Sequence, residues 1–423
     1  MKVWKSSDKK SVGSSGVATR SKRIGLLFGV ATFFIVCLWI VICIAGLEIY
    51  LRWNYLYSPV KWDYRKGFPV IEIDPEVPIE MGLKKNVNVT VKITDKAIYR
   101  LRTNSLRVRD DEDFPLKKPK GEFRVIALGD SWTFGEGVNI EDTYIKVIER
   151  LLKTRGDPKF VYRGINCGYA SGRGPDSAYV FLRNKGIRLE PDVVILGSFI
   201  NDIFDISYNN WHDLDADGLP ARIDSDIFSV GANGNYGYKY DSNSIEARYR
   251  LKPPPFKFLE YSQVYTMMRV LYIEKIFLKY VFPKEKLIRE LNSEIFMVSW
   301  DKYFKVVGGM KALCERNGAR FIVVFLPYLT GKPNREALIA RYNKWETAKF
   351  EEMGVGLLDL NRTFFELVPL GDVGARKKYF IEKDGHWTEE GNRVGGTLIA
   401  DELFRRGWIP AAERPGVERG SSQ

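Results

Sequence analysis

FRVIALGDSWTFGEGV, residues 123–138, decides the fold of this chain. Its first six residues form a short run that is apolar apart from Arg124, as in a strand covered on both faces. The run ends at Gly129-Asp130-Ser131, where a strand hands over to a helix. Comparable runs recur at 160–165, 193–197, 321–326 and 356–360. Helical patterns at 143–154, from 176, and at 299–317, 335–352 and 389–406 separate or follow them. Such alternation predicts an α/β domain over 121–408, flavodoxin-like and doubly wound, with a five-stranded parallel sheet.

In that architecture ligands meet the carboxyl ends of the strands, at the point where strand order reverses. Ser131 follows the first strand, on a turn that presents its hydroxyl to the cleft beside a helix N-terminus. A plain turn serine is the competing reading. The loop after the second strand, Asn166-Cys-Gly-Tyr-Ala-Ser-Gly172-Arg-Gly174, lets backbone approach a ligand closely. The loop after the third, Gly197-Ser-Phe-Ile-Asn201-Asp202, offers an amide donor to a developing oxyanion. The chain has two histidines. His386, at the start of the last helical pattern, has Asp384 two residues before it, close enough to accept the Nδ1 proton and fix the tautomer. An incidental histidine near a helix N-cap is the alternative.

With these blocks in this order, the sequence resembles the SGNH/GDSL hydrolase superfamily over 121–406. The resemblance rests on GDSWTFGEGV at 129–138, the Asn166/Gly172 loop, Gly197 with Asn201-Asp202, and Asp384-Gly-His386. It implies Ser131 as nucleophile, His386 as base and Asp384 as its partner. It further implies an oxyanion hole of the Ser131 N–H, the Gly172 N–H and the Asn201 side chain. Three departures stand out. The spacing is Asp-x-His rather than Asp-x-x-His, as in some polysaccharide-acetylating relatives, with Lys383 three before His386 and Glu382 as a fallback partner. The second loop is one residue longer than the pattern, leaving Ser171 and Gly174 as alternatives to Gly172. Three residues rather than one separate Gly197 from Asn201.

The formal net charge of +12 invites a nucleic-acid reading, but its location argues otherwise. Residues 1–23 hold seven Lys/Arg against Asp8 alone, half of the excess. No basic-aromatic module appears outside this tail, so no nucleic-acid partner is expected. Residues 24–46 follow without a charge, ~35 Å of helix, enough to cross a membrane. They exceed the usual apolar length of a cleaved signal peptide, so an uncleaved anchor is expected. Neither Cys37 nor Cys43 follows a lipobox. Seven flanking basic residues before the span against four after it, in 47–66, put the N-terminus in the cytoplasm and the remainder outside a cell membrane, in single-pass form.

Residues 47–120 read as a small β-rich entry module, with a strand at 87–93 and a charged, Pro-containing linker at 109–120. Residues 205–298 read as an insertion or lid, with aromatic amphipathic helices near 257–296, and 409–423 as a flexible tail. Cys167 and Cys314 are expected as free buried thiols. Asp213, Asp215, Asp217, Gly218 and Asp224 fit an EF-hand-like loop loosely, though a plain Asp-rich turn fits better. His212 reads as a surface residue, and Trp387 as packing. Asn88-Val-Thr90 and Asn361-Arg-Thr363 are sequons that matter only in a glycosylating host.

The expected function is a membrane-anchored extracytoplasmic serine esterase acting on an acyl, specifically acetyl, ester. No metal or organic cofactor is required. An acylated envelope carbohydrate is the expected substrate class, a lipid ester the other option. An O-acetyltransferase of an envelope or exported polysaccharide would use the same residues and would need a multispan membrane partner to supply the acyl donor. A non-catalytic carbohydrate-binding protein on this fold is the third reading.

Overall fold

The computed structural model of the chain describes residues 15–57, 71–72, 74–79, 82–93, 97–169, 174–207, 209–225, 228–230, 236–238, 262, 264, 268, 294–327, 329, 333–382 and 384–410. Two compact units result: Met1–Ser58 with Pro254–Phe277, and Pro59–Pro253 with Leu278–Gln423. In the first, helix α1 (Ser15–Tyr57) contains Leu26–Tyr50, a stretch long and apolar enough to cross a membrane. Large side chains such as Phe28, Phe34 and Trp39 are exposed along it. The helix runs past Gly46 to Tyr57, so the expected end of the span is not a helix end. Glu48 Oε2 accepts hydrogen bonds from Ser262 Oγ and Val264 N, both at 2.9 Å, within this unit.

The second unit opens with two antiparallel pairs, β1 (Ile71–Glu72) with β2 (Gly82–Leu83) and β3 (Asn88–Lys92) with β4 (Ile98–Arg102). The parallel sheet follows: β5 (Glu122–Gly129), β6 (Val161–Gly168), β7 (Val193–Ser198), then β12 (Arg320–Phe325) and β13 (Gly356–Asp359). Between β7 and β12 lie two small pairs, β8 (Asn209–His212) with β9 (Arg222–Ser225), and β10 (Phe228–Val230) with β11 (Tyr236–Tyr238). The sheet order is β13-β12-β7-β5-β6. Numbered by first appearance in the sheet this is 2-1-3-4-5 read from the other edge, the expected flavodoxin-like winding. Order reverses between β5 and β7.

Both faces of the sheet are buried, which is why its strands read as apolar runs rather than alternations. Ile126 and Leu128 of β5 join one core; Val125 and Ala127 join the other. Helices α4 (Pro175–Phe181) and α6 (Glu294–Arg316) supply the first core with Tyr179, Tyr303 and Val307. Helices α3 (Tyr144–Arg155) and α10 (Glu389–Arg405) supply the second with Ile145, Ile148, Ile399 and Leu403.

Residues 71–114 depart from the expected separate module and linker. Val77, Leu83, Val91, Tyr99, Leu101, Val108 and Phe114 lie in the same core as Ile126 and Val194. A hairpin this short cannot bury its apolar face alone, so it spends that face on the sheet domain. Arg109 and Asp110, expected in an exposed linker, are buried. Of the insertion, the helices expected near 257–296 lie almost wholly outside the described residues, as does the tail beyond 410. Cys167 and Cys314 are free thiols in the first core; burial pushes Cys314 up to about 12.

Three glycines stand level with one another at the carboxyl ends of the three adjacent strands of the switch point: Gly129 and Gly168 are last in β5 and β6, and Gly197 is second-last in β7. Gly129 pairs with Gly168 on one side and Gly197 on the other. On this floor rests α2 (Ser131–Phe134). A Cβ on Gly168 would lie 2.3 Å from Phe134 N, and one on Gly197 2.5 Å from Thr133 Oγ1. Gly129 also has φ +149, which side-chain-bearing residues rarely adopt. The missing side chains let the first turn after β5 seat directly on the strand ends.

Candidate active site

Helix α2 is one turn long and is held by its ends. Asp130 caps it, accepting from Trp132 N at 3.0 Å. At the other end the carbonyls of Phe134 and Gly135 accept from Arg109 Nη1, the latter at 2.7 Å, while Val138 O accepts from Arg109 Nη2 at 2.5 Å. Asn166, expected in a ligand-facing loop, sits instead in β6 and is buried. Its Nδ2 donates to Thr133 O at 2.9 Å and its Oδ1 accepts from Gly168 N at 3.0 Å. These clamps fix Ser131 just past the carboxyl end of β5, beside the central strand β7.

The tight loop after helix α9 (Val373–Tyr379) brings His386 to the same place. Ile381 N donates to His386 O at 2.8 Å, Gly385 N to Ile381 O at 2.9 Å, and Phe380 bridges to Trp387. Gly385 takes φ +104. Within this turn Asp384 Oδ1 accepts from His386 N at 3.1 Å and contacts His386 Nδ1 at 2.6 Å. The Asp-x-His spacing works because one carboxylate oxygen closes an Asx turn and reaches the ring at once. Glu382, the fallback partner, lies 3.2 Å from Lys377 Nζ.

Ser131 Oγ is 2.7 Å from His386 Nε2. Ser131, His386 and Asp384 therefore form one hydrogen-bonded line. With Asp384 ionised, Nδ1 carries the proton and Nε2 is the acceptor for the serine hydroxyl. Burial disfavours a charged imidazole. The Asp384 hydrogen bond and the charges of Glu136, Asp384 and Asp130 outweigh it, and the His386 pKa is raised. Burial would raise Asp384, but its hydrogen bonds and attraction to His386 hold it below the usual carboxylate range. Such a line can move a proton from Oγ to Nε2 and stabilise the resulting imidazolium.

Asn201 stands at the entry to α5 (Asp202–Ser207). Its Nδ2 donates to Asp205 Oδ2 at 2.9 Å, and its side chain also hydrogen-bonds the Asp130 carboxylate beside Ser131. Behind it Asp202 Oδ2 accepts from Ser198 Oγ and Phe199 N at 2.9 and 3.0 Å. Burial pushes both carboxyls well above their ordinary value. Gly172 and its alternative Ser171 lie outside the described residues, as does Lys383. Gly174 precedes α4, where a Cβ would meet Asp176 Oδ1 at 3.1 Å and Ile206 N at 3.1 Å.

Sequence reasoning missed several neighbours of the serine. Trp132, not Trp387, packs beside His386, at 5.3 Å between ring centroids, and itself rests on Phe199 at 4.4 Å. Trp387 is core, stacked on Phe364 at 5.3 Å. Glu136 Oε2 is 4.0 Å from His386 Nε2. The signals were present in SWTFGEG but looked like helix and turn residues. The Asp-rich loop forms a turn: Asp215 Oδ1 accepts from Asp217 N at 3.1 Å and Leu219 N at 2.9 Å. His212 Nε2 lies 3.0 Å from Asp224 Oδ2 on the β8–β9 pair.

No protein-family model matches the chain, and a comparison with curated proteins finds no match. Solved structures do align with it. A lipase/acylhydrolase from Enterococcus faecalis is 13% identical, with 69% of this chain and 100% of that one covered, at a TM-score of 0.37. A GDSL-like lipase from Bacteroides thetaiotaomicron is 15% identical, with 69% and 92% covered, at a TM-score of 0.31. A catalytic mutant of an acetylxylan esterase from Geobacillus stearothermophilus is 13% identical, with 69% and 97% covered, at a TM-score of 0.37. About two-thirds of the chain aligns with these solved structures, a lipase/acylhydrolase, a GDSL-like lipase and an acetylxylan esterase.

Proposed function

We propose that this chain is a serine ester hydrolase that cleaves an acyl, specifically acetyl, ester of a carbohydrate. Its N-terminal helix anchors it in a membrane and its site faces away from the cytoplasm. The observation that carries the reading is the hydrogen-bonded line Ser131–His386–Asp384 at the carboxyl edge of the sheet, next to the strand-order reversal. Ser131 Oγ attacks the acyl carbon while His386 Nε2 takes its proton. The tetrahedral oxyanion is met by the Ser131 N–H, the Gly172 N–H and the Asn201 side chain. His386 then protonates the departing alcohol, and water releases the acyl group from Ser131 by the reverse transfers.

The detergent-solubilised chain, given an acetylated oligosaccharide, is expected to release free acetate, and a fluorophosphonate is expected to stop it. Acetyl appearing on an added unacetylated oligosaccharide instead would favour an acetyltransferase, the reading to which the Asp-x-His spacing leans. Neither turnover nor labelling would leave only a binding protein.

A pH profile tests the base. Attack needs neutral His386, so kcat/KM falls as pH drops through its pKa. That pKa is raised, so the acid limb is expected above the ordinary imidazole value. Asp384→Asn removes the hydrogen bond and charge that raise it. The limb is then expected to move to lower pH, while the plateau drops by roughly 10⁴-fold because the Nδ1 proton is no longer held. An unmoved limb would exclude His386 as the base.

A further inference from the structure

Glu136 is a buried-side carboxylate the mechanism above does not use. It sits between Gly135 at φ +80 and Gly137 at φ +93, in a turn that Arg109 pins through Gly135 O and Val138 O. Its backbone N–H donates to Ser131 O at 3.0 Å, which ties its placement to the serine itself. The side chain is 12% exposed, and its Oε2 lies 4.0 Å from His386 Nε2. No described residue donates a hydrogen bond to the carboxylate, and His386 is its ion-pair partner among them. A carboxylate so enclosed is costly unless something donates to it.

The 4.0 Å gap has a chemical meaning. A water oxygen placed ~2.8 Å from both Nε2 and Oε2 would see them about 90° apart, near the angle at which water presents its two protons. That is also where the nucleophile of deacylation must stand, since His386 has to take its proton. Resting on the serine-esterase reading above, we propose that Glu136 is a further catalytic residue, which accepts one hydrogen of the deacylating water, or of a substrate hydroxyl in its place, while His386 Nε2 takes the other. In that step the water oxygen bonds to the acyl carbon and its proton passes to Nε2. The acyl–Oγ bond then breaks, and Nε2 returns the proton to Ser131 Oγ. Glu136 ends as it began.

The groups facing Glu136 are His386 and Asp384 from the loop before α10, Asp130 at the α2 cap, and Arg109. Tyr99 of β4 also feels its charge. Burial, with Asp384 and Asp130, lifts its pKa to about 7 against the pull of His386 and Arg109. The carboxylate therefore gains its charged form near neutral pH, and His386, whose pKa is also raised, must likewise lose a proton to act as base.

Glu136→Gln keeps the size and removes the acceptor charge. With p-nitrophenyl acetate, turnover is expected to fall ~10–100-fold while an acetyl adduct on Ser131 accumulates, as loss of a hydrogen bond to the attacking group implies. The fluorophosphonate labelling rate, which needs no deacylation, should stay within about threefold. On the acid side the wild-type slope of log rate against pH should exceed that of the variant, because two groups must deprotonate rather than one. Unchanged turnover in a labelled variant overturns the role. Labelling and turnover lost together put Glu136 in the scaffold and also overturn it. A wild-type chain with neither labelling nor turnover overturns the esterase reading and the Glu136 role with it.

Discussion

Ser131→Ala is expected to lower kcat/KM toward p-nitrophenyl acetate by roughly 10⁴-fold or more, and to abolish fluorophosphonate labelling, with the fold intact. The size follows from what the hydroxyl does in the proposed reaction. Without Oγ no acyl-enzyme forms, and His386 and Asp384 have no proton to relay, so the three residues fail as a unit rather than by a third each. The remaining rate would come from binding and the oxyanion donors. The fold should tolerate the change. What holds α2 is the Asp130 cap on Trp132 N, the Asn166 and Arg109 clamps and the glycine floor, none of which uses the Ser131 side chain. One part-buried hydrogen bond to His386 is lost, about 1 kcal/mol. Rates, labelling and a thermal melt on the same preparation check this. A variant retaining a tenth of wild-type activity would move the nucleophile elsewhere.

The sheet was readable because it is buried on both faces. Each strand is then a continuous apolar run between helical periods, and that pattern is local. That Ser131, Asp384 and His386 would lie together was readable for a different reason. Chemistry with a histidine base had two candidates, and one of them carried an aspartate two residues away. Arg109, Glu136 and Asn166 were not readable, because their roles are set by partners far along the chain. Arg109 lies in a charged, Pro-containing stretch that looks like any linker. Its burial depends on carbonyls at 134, 135 and 138, which no period in its own neighbourhood announces. Asn166 looked like a loop residue because β6 continues to Gly168, three residues past the run that marked it. Trp387 packs in the core as read, but the ring beside His386 is Trp132, which the sequence did not single out. Gly391 and Gly395 open the space Trp387 occupies, and their spacing in α10 carries no sign of which ring will fill it.

Arg109→Met is expected to destabilise the sheet domain by about 3–5 kcal/mol, lowering Tm by roughly 5–15 °C. The guanidinium is fully buried and donates to three carbonyls, Phe134, Gly135 and Val138. Its plane lies over the rings of Phe134 at 4.7 Å and Tyr99 at 5.2 Å. Burial lowers its pKa to about 10, which still leaves it charged near neutral pH. Methionine fills the space but donates nothing. The last carbonyls of a one-turn helix, which have no partner within the helix, then lose their donor inside the protein. Lysine should not rescue, since one ammonium on a flexible stem cannot reproduce a planar fork that spans three acceptors. The lesion reaches the site by a short route. The 134–138 turn carries Glu136, and the turn before it carries Ser131, so both positions of the proposed reaction loosen together. Activity should therefore fall at temperatures below the melt, with Ser131 labelling slowed. Isothermal denaturation of wild type, Arg109→Met and Arg109→Lys, read beside labelling rates, separates this from a surface arginine, whose removal would leave both within error.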